Sequence, residues 1–172
     1  SPQFVNRADN RGYTPLLYAL GAVDEARIKD RHDAPGWSKA MTATVAALLE
    51  AKADPELDAP SHHPLFLASG LNGSAGCTRM LLNAGANPAR TAIDDDGHTA
   101  VHSAILFGEL ECVRMILDHK PDVINVVSKE KNITPLALAC QPTLHHPGIE
   151  EYRPDHKPEQ FVALLRDARA DV

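Results

Sequence analysis

One phrase recurs four times, and that recurrence restricts the folds open to this chain more than any other feature. It reads Thr14-Pro15-Leu16-Leu17-Tyr18-Ala19, His63-Pro64-Leu65-Phe66-Leu67-Ala68, Thr99-Ala100-Val101-His102-Ser103-Ala104 and Thr134-Pro135-Leu136-Ala137-Leu138-Ala139. The starts lie 49, 36 and 35 residues apart. A second apolar phrase follows each copy, at Leu48-Leu49, Leu81-Leu82, Ile116-Leu117 and Leu164-Leu165. A turn of small or polar residues then closes each unit: Ala53-Asp54, Ala84-Gly85-Ala86-Asn87, Pro121-Asp122 and Ala170-Asp171. Self-similarity at this period marks a stacked array, because one such unit cannot bury its apolar face alone.

The spacing inside each unit accounts for the uneven period. From the threonine-like position to the second leucine-like position is 35, 19, 18 and 31 residues. The middle units are compact, and the outer two carry insertions, placed at about 23–40 and 143–157. Each phrase reads as a helix. Threonine accepts a backbone N–H at a helix start, and proline fits the first turn. The leucines and alanines that follow give a short apolar stripe. Gly85 is placed to end a second helix in a left-handed turn. Runs such as Asp9-Asn10-Arg11-Gly12 and Asp94-Asp95-Asp96-Gly97 favour tight turns before the next start. An aromatic share of 5% also suits close helix packing better than a β-sandwich.

The phrases resemble the ankyrin repeat. Asp9-x-x-Gly12-x-Thr14-Pro15-Leu16 and Asp94-x-x-Gly97-x-Thr99-Ala100-Val101-His102 carry that family's hairpin-to-helix signature, and Leu81-Leu82-Asn83-Ala84-Gly85-Ala86-Asn87-Pro88 its helix-to-hairpin phrase. The resemblance implies an all-α solenoid of helix pairs with short β-hairpin or turn connections. It makes one repeat domain over 1–172, with units near 9–57, 58–93, 94–128 and 129–172. There are departures: His63 stands for the threonine of unit two and Ser61 for its turn glycine, and Lys129 and Asn132 stand for the aspartate and glycine of unit four. These are expected to weaken individual hairpins. His102 matches the family histidine, which implies a ring bonded to hairpin backbone. Phe4-Val5-Asn6-Arg7-Ala8 reads as the tail of a preceding hairpin, and a solenoid needs polar caps, so a segment of a longer protein is expected.

Chemistry is sparse. The Asp94–Asp96 run fails the EF-hand register, since Ala92 and Ser103 would fall at the first and twelfth positions. Gly70, Gly73 and Gly76 lack the lysine and serine of a phosphate loop and read as the loop between two helices. Ser74 is one glycine short of a nucleophile elbow. No nucleophile, base and oxyanion donor assemble, so no enzyme is expected. His98 and His102 are four apart, but His98 precedes the helix start, at what reads as an exposed hairpin position. Cys140, His145, His146 and His156 form the one candidate metal set, without a recognised zinc spacing, and no cofactor is expected. Cys77, Cys112 and Cys140 read as free thiols in a reducing, intracellular compartment, cytoplasmic or nuclear. Cys77 and Cys112 are expected to lie inert between helices.

With a net charge of −6 and no basic run, nucleic acid is not an expected partner. No apolar run approaches the roughly 20 residues of a membrane span. The function expected is a non-catalytic protein-interaction module or scaffold, binding a protein or peptide. A metal- or redox-responsive module is the alternative, and oligomeric state is left open. Family partners dock on hairpin tips and on the concave face of the first helices. Position by position this selects Asn10, Arg11 and Tyr13; Ala59, Pro60, His62 and Leu71; Asp95, Asp96, His98, Leu106 and Phe107; and Glu130, Lys131, Ile133 and Gln141. Tyr13, Leu106, Phe107 and Ile133 are apolar where inner packing does not require it, which suits an interface core. Trp37, in the first insertion after a helix-like run from Val23 to Asp30, joins the set. The surface is expected to centre on unit three, at Asp95, His98, Leu106 and Phe107.

Overall fold

Each copy of the first phrase is a short helix that begins where its capping residue predicts. The computed structural model describes residues 2–21, 37–59, 62–70, 74–91, 97–129, 132–141 and 157–168. After a single turn, α1 (Pro2–Val5), the first helices are α2 (Pro15–Ala19), α4 (Pro64–Ser69), α6 (Ala100–Leu106) and α8 (Pro135–Ala139). The second helices are α3 (Trp37–Glu50), α5 (Ala75–Asn83), α7 (Leu110–His119) and α9 (Pro158–Asp167), and a 3-10 turn, Pro121–Asn125, follows α7. Thr14 Oγ1 accepts the Leu17 N–H at 3.3 Å and Thr134 Oγ1 the Ala137 N–H at 3.1 Å. In unit three the cap is reciprocal, a capping box of Thr99 with His102.

The second helices end as their small residues require. At the close of α5 the Ala86 N–H reaches Leu81 O and the Gly85 N–H reaches Leu82 O, both at 3.0 Å, with Gly85 at φ +97°. This is a Schellman closure, and a left-handed residue is obligatory in it. The first helix of unit three closes likewise, with Gly108 at φ +77° and the Glu109 N–H on Ala104 O. In unit four Asn132 holds φ +49°, in the place of Gly12 and Gly97. Asparagine tolerates that region, so the departure there leaves the turn intact.

Helices pair within units: α2 with α3, α4 with α5, α6 with α7, α8 with α9. Across units α4, α6 and α8 lie side by side in one row, and α3, α5, α7 and α9 in the other. The core runs continuously through both rows, from Leu16, Leu17 and Val45 through Leu65, Leu81, Ile105 and Ile116 to Phe161 and Leu165. Burying each such side chain contributes roughly 1.5–3 kcal/mol. Side-chain oxygens also join neighbours: Ser69 Oγ donates to Ala100 O at 3.0 Å, and Ser103 Oγ donates back to Phe66 O at 3.1 Å. The closing turns are linked in series. Asn6 Oδ1 accepts the Asp54 N–H and Glu56 Oε1 the Asn87 N–H, each at 2.8 Å.

Two sequence readings shift. Gly76 is not in a loop but inside α5, and Ser74 is that helix's cap, its Oγ accepting the Cys77 N–H at 3.2 Å. The second helix of unit one begins at Trp37, so the stretch from 37 to 40 belongs to it and not to the insertion. The rest of both insertions, including the run from Val23 to Asp30, lies outside the described residues. Among those residues the hairpins reduce to two isolated antiparallel bridges, Ala59–His62 and Thr91–Thr99. No helix among them is long and apolar enough to cross a membrane.

Candidate interaction surface

The turn before α2 folds around Asp9. Its Oδ1 accepts the N–H groups of Arg11 and Tyr13, both at 2.9 Å, which sets the turn. Its Oδ2 accepts the Tyr18 hydroxyl at 2.6 Å, and Tyr18 in turn accepts Arg11 Nη2 at 2.7 Å. The Tyr18 hydrogen bond, above all, holds the Asp9 carboxyl below the usual carboxylate range. The Arg11 guanidinium also sits 5.2 Å above the Tyr13 ring centre, in cation–π geometry. Tyr13 lies between Tyr18 and His62, with ring centres 5.7 and 5.6 Å away. Its hydroxyl shares a 3.3 Å hydrogen bond with His62 Nδ1. The Arg11 side chain is 55% exposed. Units one and two thus present a guanidinium and three rings already fixed in place.

Unit three is different. His98 is only 2% exposed and Leu106 8%, so neither forms an outer surface. The Gly97 carbonyl accepts the Lys129 N–H, and a Cβ on Gly97 would stand 2.7 Å from Lys129 Cβ. Lys129 therefore lies directly on Gly97, and the buried ring of His98 stands 5.5 Å from that of His102. Leu106 turns into the core cluster, which inner packing does require. Phe107 is half-buried, its ring edge over Gly70 of unit two. Ile133 is half-buried as well and rests on the core. Leu71, Asp95, Asp96 and Lys131 lie outside the described residues, as does the side chain of Trp37. Sequence reasoning missed Tyr18, which sits in an apolar stripe. Its hydroxyl was the available signal, since a tyrosine in such a stripe needs a polar partner for its O–H.

His102 holds two units together. Nδ1 accepts the Thr99 N–H at 3.3 Å, and Nε2 donates to Ile133 O at 3.0 Å. A backbone N–H only donates and a carbonyl only accepts, so the ring is the neutral Nε2–H tautomer. The cap of unit two is also an imidazole. His63 Nδ1 accepts the Leu65 N–H at 3.3 Å, so the missing threonine does not leave α4 uncapped.

Cys77 and Cys112 are fully buried, and burial pushes both thiols up, away from the reactive thiolate. Cys140 is exposed. Its companions in the candidate metal set, His145, His146 and His156, lie outside the described residues. Among the described residues no group of three His, Cys, Asp or Glu side chains is placed to hold a metal ion.

Capped first helices, left-handed closures and a two-row helical stack define an α-solenoid that displays turns along one edge. The chain belongs to the ankyrin-repeat family: the family model for ankyrin repeats (3 copies) matches residues 37–129, more than half of the 172. It is also similar to an E3 ubiquitin-protein ligase, KEG, of Arabidopsis thaliana, 34% identical over 94 residues. That stretch is 55% of this chain and 6% of the length of the relative. Ankyrin repeats are in general protein–protein interaction modules.

Proposed function

We propose that this chain is a non-catalytic module, one array of four units over 1–172, that binds a protein or peptide through its turn edge. Its contact centre is Arg11, Tyr13, Tyr18 and His62, with Phe107 and Ile133 as apolar flanks further along. The observation that carries this reading is the pre-ordered cluster on the unit-one turn. Tyrosine and arginine are the residues that most often dominate binding energy. Side chains already held by mutual hydrogen bonds lose less conformational freedom when a partner arrives. The unit-three centre expected from sequence is replaced because His98 and Leu106 are buried. The relative's ubiquitin-ligase name suits a recruiting role within a larger protein.

The test is selection of peptides on the purified chain, followed by calorimetry on variants. Tyr13→Ala and Arg11→Ala should each weaken the selected peptide by about tenfold or more, as for a binding hot spot. Arg114→Ala, exposed on α7, should leave affinity unchanged. If Tyr13→Ala binds as tightly as the parent while its helical circular dichroism is intact, the surface lies elsewhere.

A further inference from the structure

Unit two starts its first helix on a titratable group. His63 fills the place that Thr14, Thr99 and Thr134 fill elsewhere, and its ring is 3% exposed. A threonine oxygen keeps its lone pairs at any pH. The capping Nδ1 keeps its lone pair only while the ring is neutral. A second proton would go to Nδ1 and set an N–H donor against the Leu65 N–H, inside a site with almost no water access.

The other edge of the ring faces two carboxylates, which offset only part of what burial costs an imidazolium. Nε2 stands 3.6 Å from Glu56 Oε1 and 3.7 Å from Asp58 Oδ1, within ion-pair reach of a protonated ring but longer than a hydrogen bond, and Nε2 and Asp58 Oδ1 have no hydrogen-bond partner among the described residues. Both carboxylates already pair with Arg90, which directly precedes the Thr91–Thr99 bridge. Its Nη1 lies 3.1 Å from Glu56 Oε2, and its Nη2 bonds Asp58 Oδ2. Glu56, Asp58 and Arg90 are the charged groups acting on the ring. Burial pushes His63 below the ordinary histidine value and Arg90 adds to that, against the pull of Asp58 and Glu56.

We propose that His63 is an acid-released latch on the interaction surface: a second proton on its ring breaks the cap of α4 and loosens the hairpin that holds His62 against Tyr13. His62 precedes it in the chain and closes the Ala59 bridge, so the cap and the Tyr13 contact share one short segment. The regulatory meaning rests on the surface proposed above; the latch itself does not. The sign follows from the lowered folded value. The unlatched chain takes up its proton near about pH 6.5, the latched chain only below that. The latch is therefore fully stable above that pH and weakens as pH falls through it.

Hydrogen exchange of the purified chain, corrected for intrinsic rates, tests this without any partner. Between about pH 7.5 and about pH 5.5, where histidines titrate, the amides at the start of α4 should lose on the order of tenfold in protection, the worth of a helix cap. In His63→Thr, which restores the capping residue of the other units, protection should not change with pH. Unchanged protection in the parent overturns the proposal. So does an equal loss in His63→Thr, which would place the response on His62 or another group. Should that variant not fold, the His63 ring signal in the parent decides: a midpoint at or above about 6.5 is fatal to the latch.

Discussion

Gly70 and Gly76 show how two residues of one type can carry opposite constraints. Gly70 closes α4 at φ −118° and ψ −85°, a negative φ but outside the main allowed regions, so its backbone already disfavours a side chain. Space forbids one as well. A Cβ there would overlap Ser103 Oγ and stand 2.9 Å from the Phe107 ring, because α6 crosses against it. Gly70→Ala is expected to cost about 1–3 kcal/mol, the usual penalty for overfilling a tight contact. Gly76 sits inside α5, where a Cβ would meet Thr42 at an unstrained 3.5 Å. Gly76→Ala should therefore stabilise by about 0.5–1 kcal/mol, through lower unfolded-state entropy and better helix propensity. Urea melts of both variants check the pair; a destabilising Gly76→Ala would refute the space argument. At the same scale, Tyr18→Phe removes the hydrogen bond that most lowers Asp9. The Asp9 carboxyl should then titrate closer to its ordinary value of 3.8, as read by NMR on the side-chain carbon. A midpoint that does not move would mean the Tyr13 and Arg11 N–H groups hold Asp9 without help.

The helix elements were legible because their signals are local. Threonine-proline starts, paired leucines and a glycine three residues beyond the second leucine of unit two are each complete within a few positions, and four copies in register remove the ambiguity of any one. Unit one tests how far this goes. Lys52 holds φ +69° in the position of Gly85, with the Ala53 N–H on Leu48 O at 2.9 Å and the Lys52 N–H on Leu49 O at 3.0 Å. The helix takes the same closure with a residue that bears a Cβ in the left-handed region, which costs about 1 kcal/mol. Lys52→Gly should raise stability by about that amount, measured as a shift in urea midpoint at constant slope. No gain would mean that Lys52 relaxes its turn in solution. The candidate surface was less legible, because exposure depends on contacts between units. His98 reads as a hairpin tip within its own unit, yet it is buried beside His102, next to the Gly97 on which Lys129 lies. Leu106 reads as the outer end of a helix, yet all seven residues of α6 are buried by neighbours on both sides. Arg11 and Tyr13 were selected by position, whereas their fixing by Asp9 and Tyr18 needed the turn to be folded.

A solenoid is held by contacts between neighbours only, so its stability need not be uniform along the array. Here the contacts are unequal. Between units two and three lie the two serine bonds and the close approach at Gly70, while the segments that lead into α4 and α6 are joined by the Arg90 pairs with Glu56 and Asp58. Between units three and four stand the His102 bond to Ile133 O and the Lys129–Gly97 contact. Unit one meets unit two chiefly through α3 on α5 and through Tyr13 on His62. The central helices α4 and α6 should accordingly exchange amide hydrogens last, near the free energy of global unfolding, while α2 and α9 open earlier by sub-global fraying. His102→Leu sharpens the expectation. It leaves the Thr99 N–H and the Ile133 carbonyl without their partner, at roughly 1–3 kcal/mol for each buried group. The loss should fall on unit four before unit two, so α8 and α9 should lose protection at denaturant concentrations where α4 is still closed. If every helix in that variant exchanges in a single transition, the array behaves as one cooperative block and the nearest-neighbour description does not apply to it.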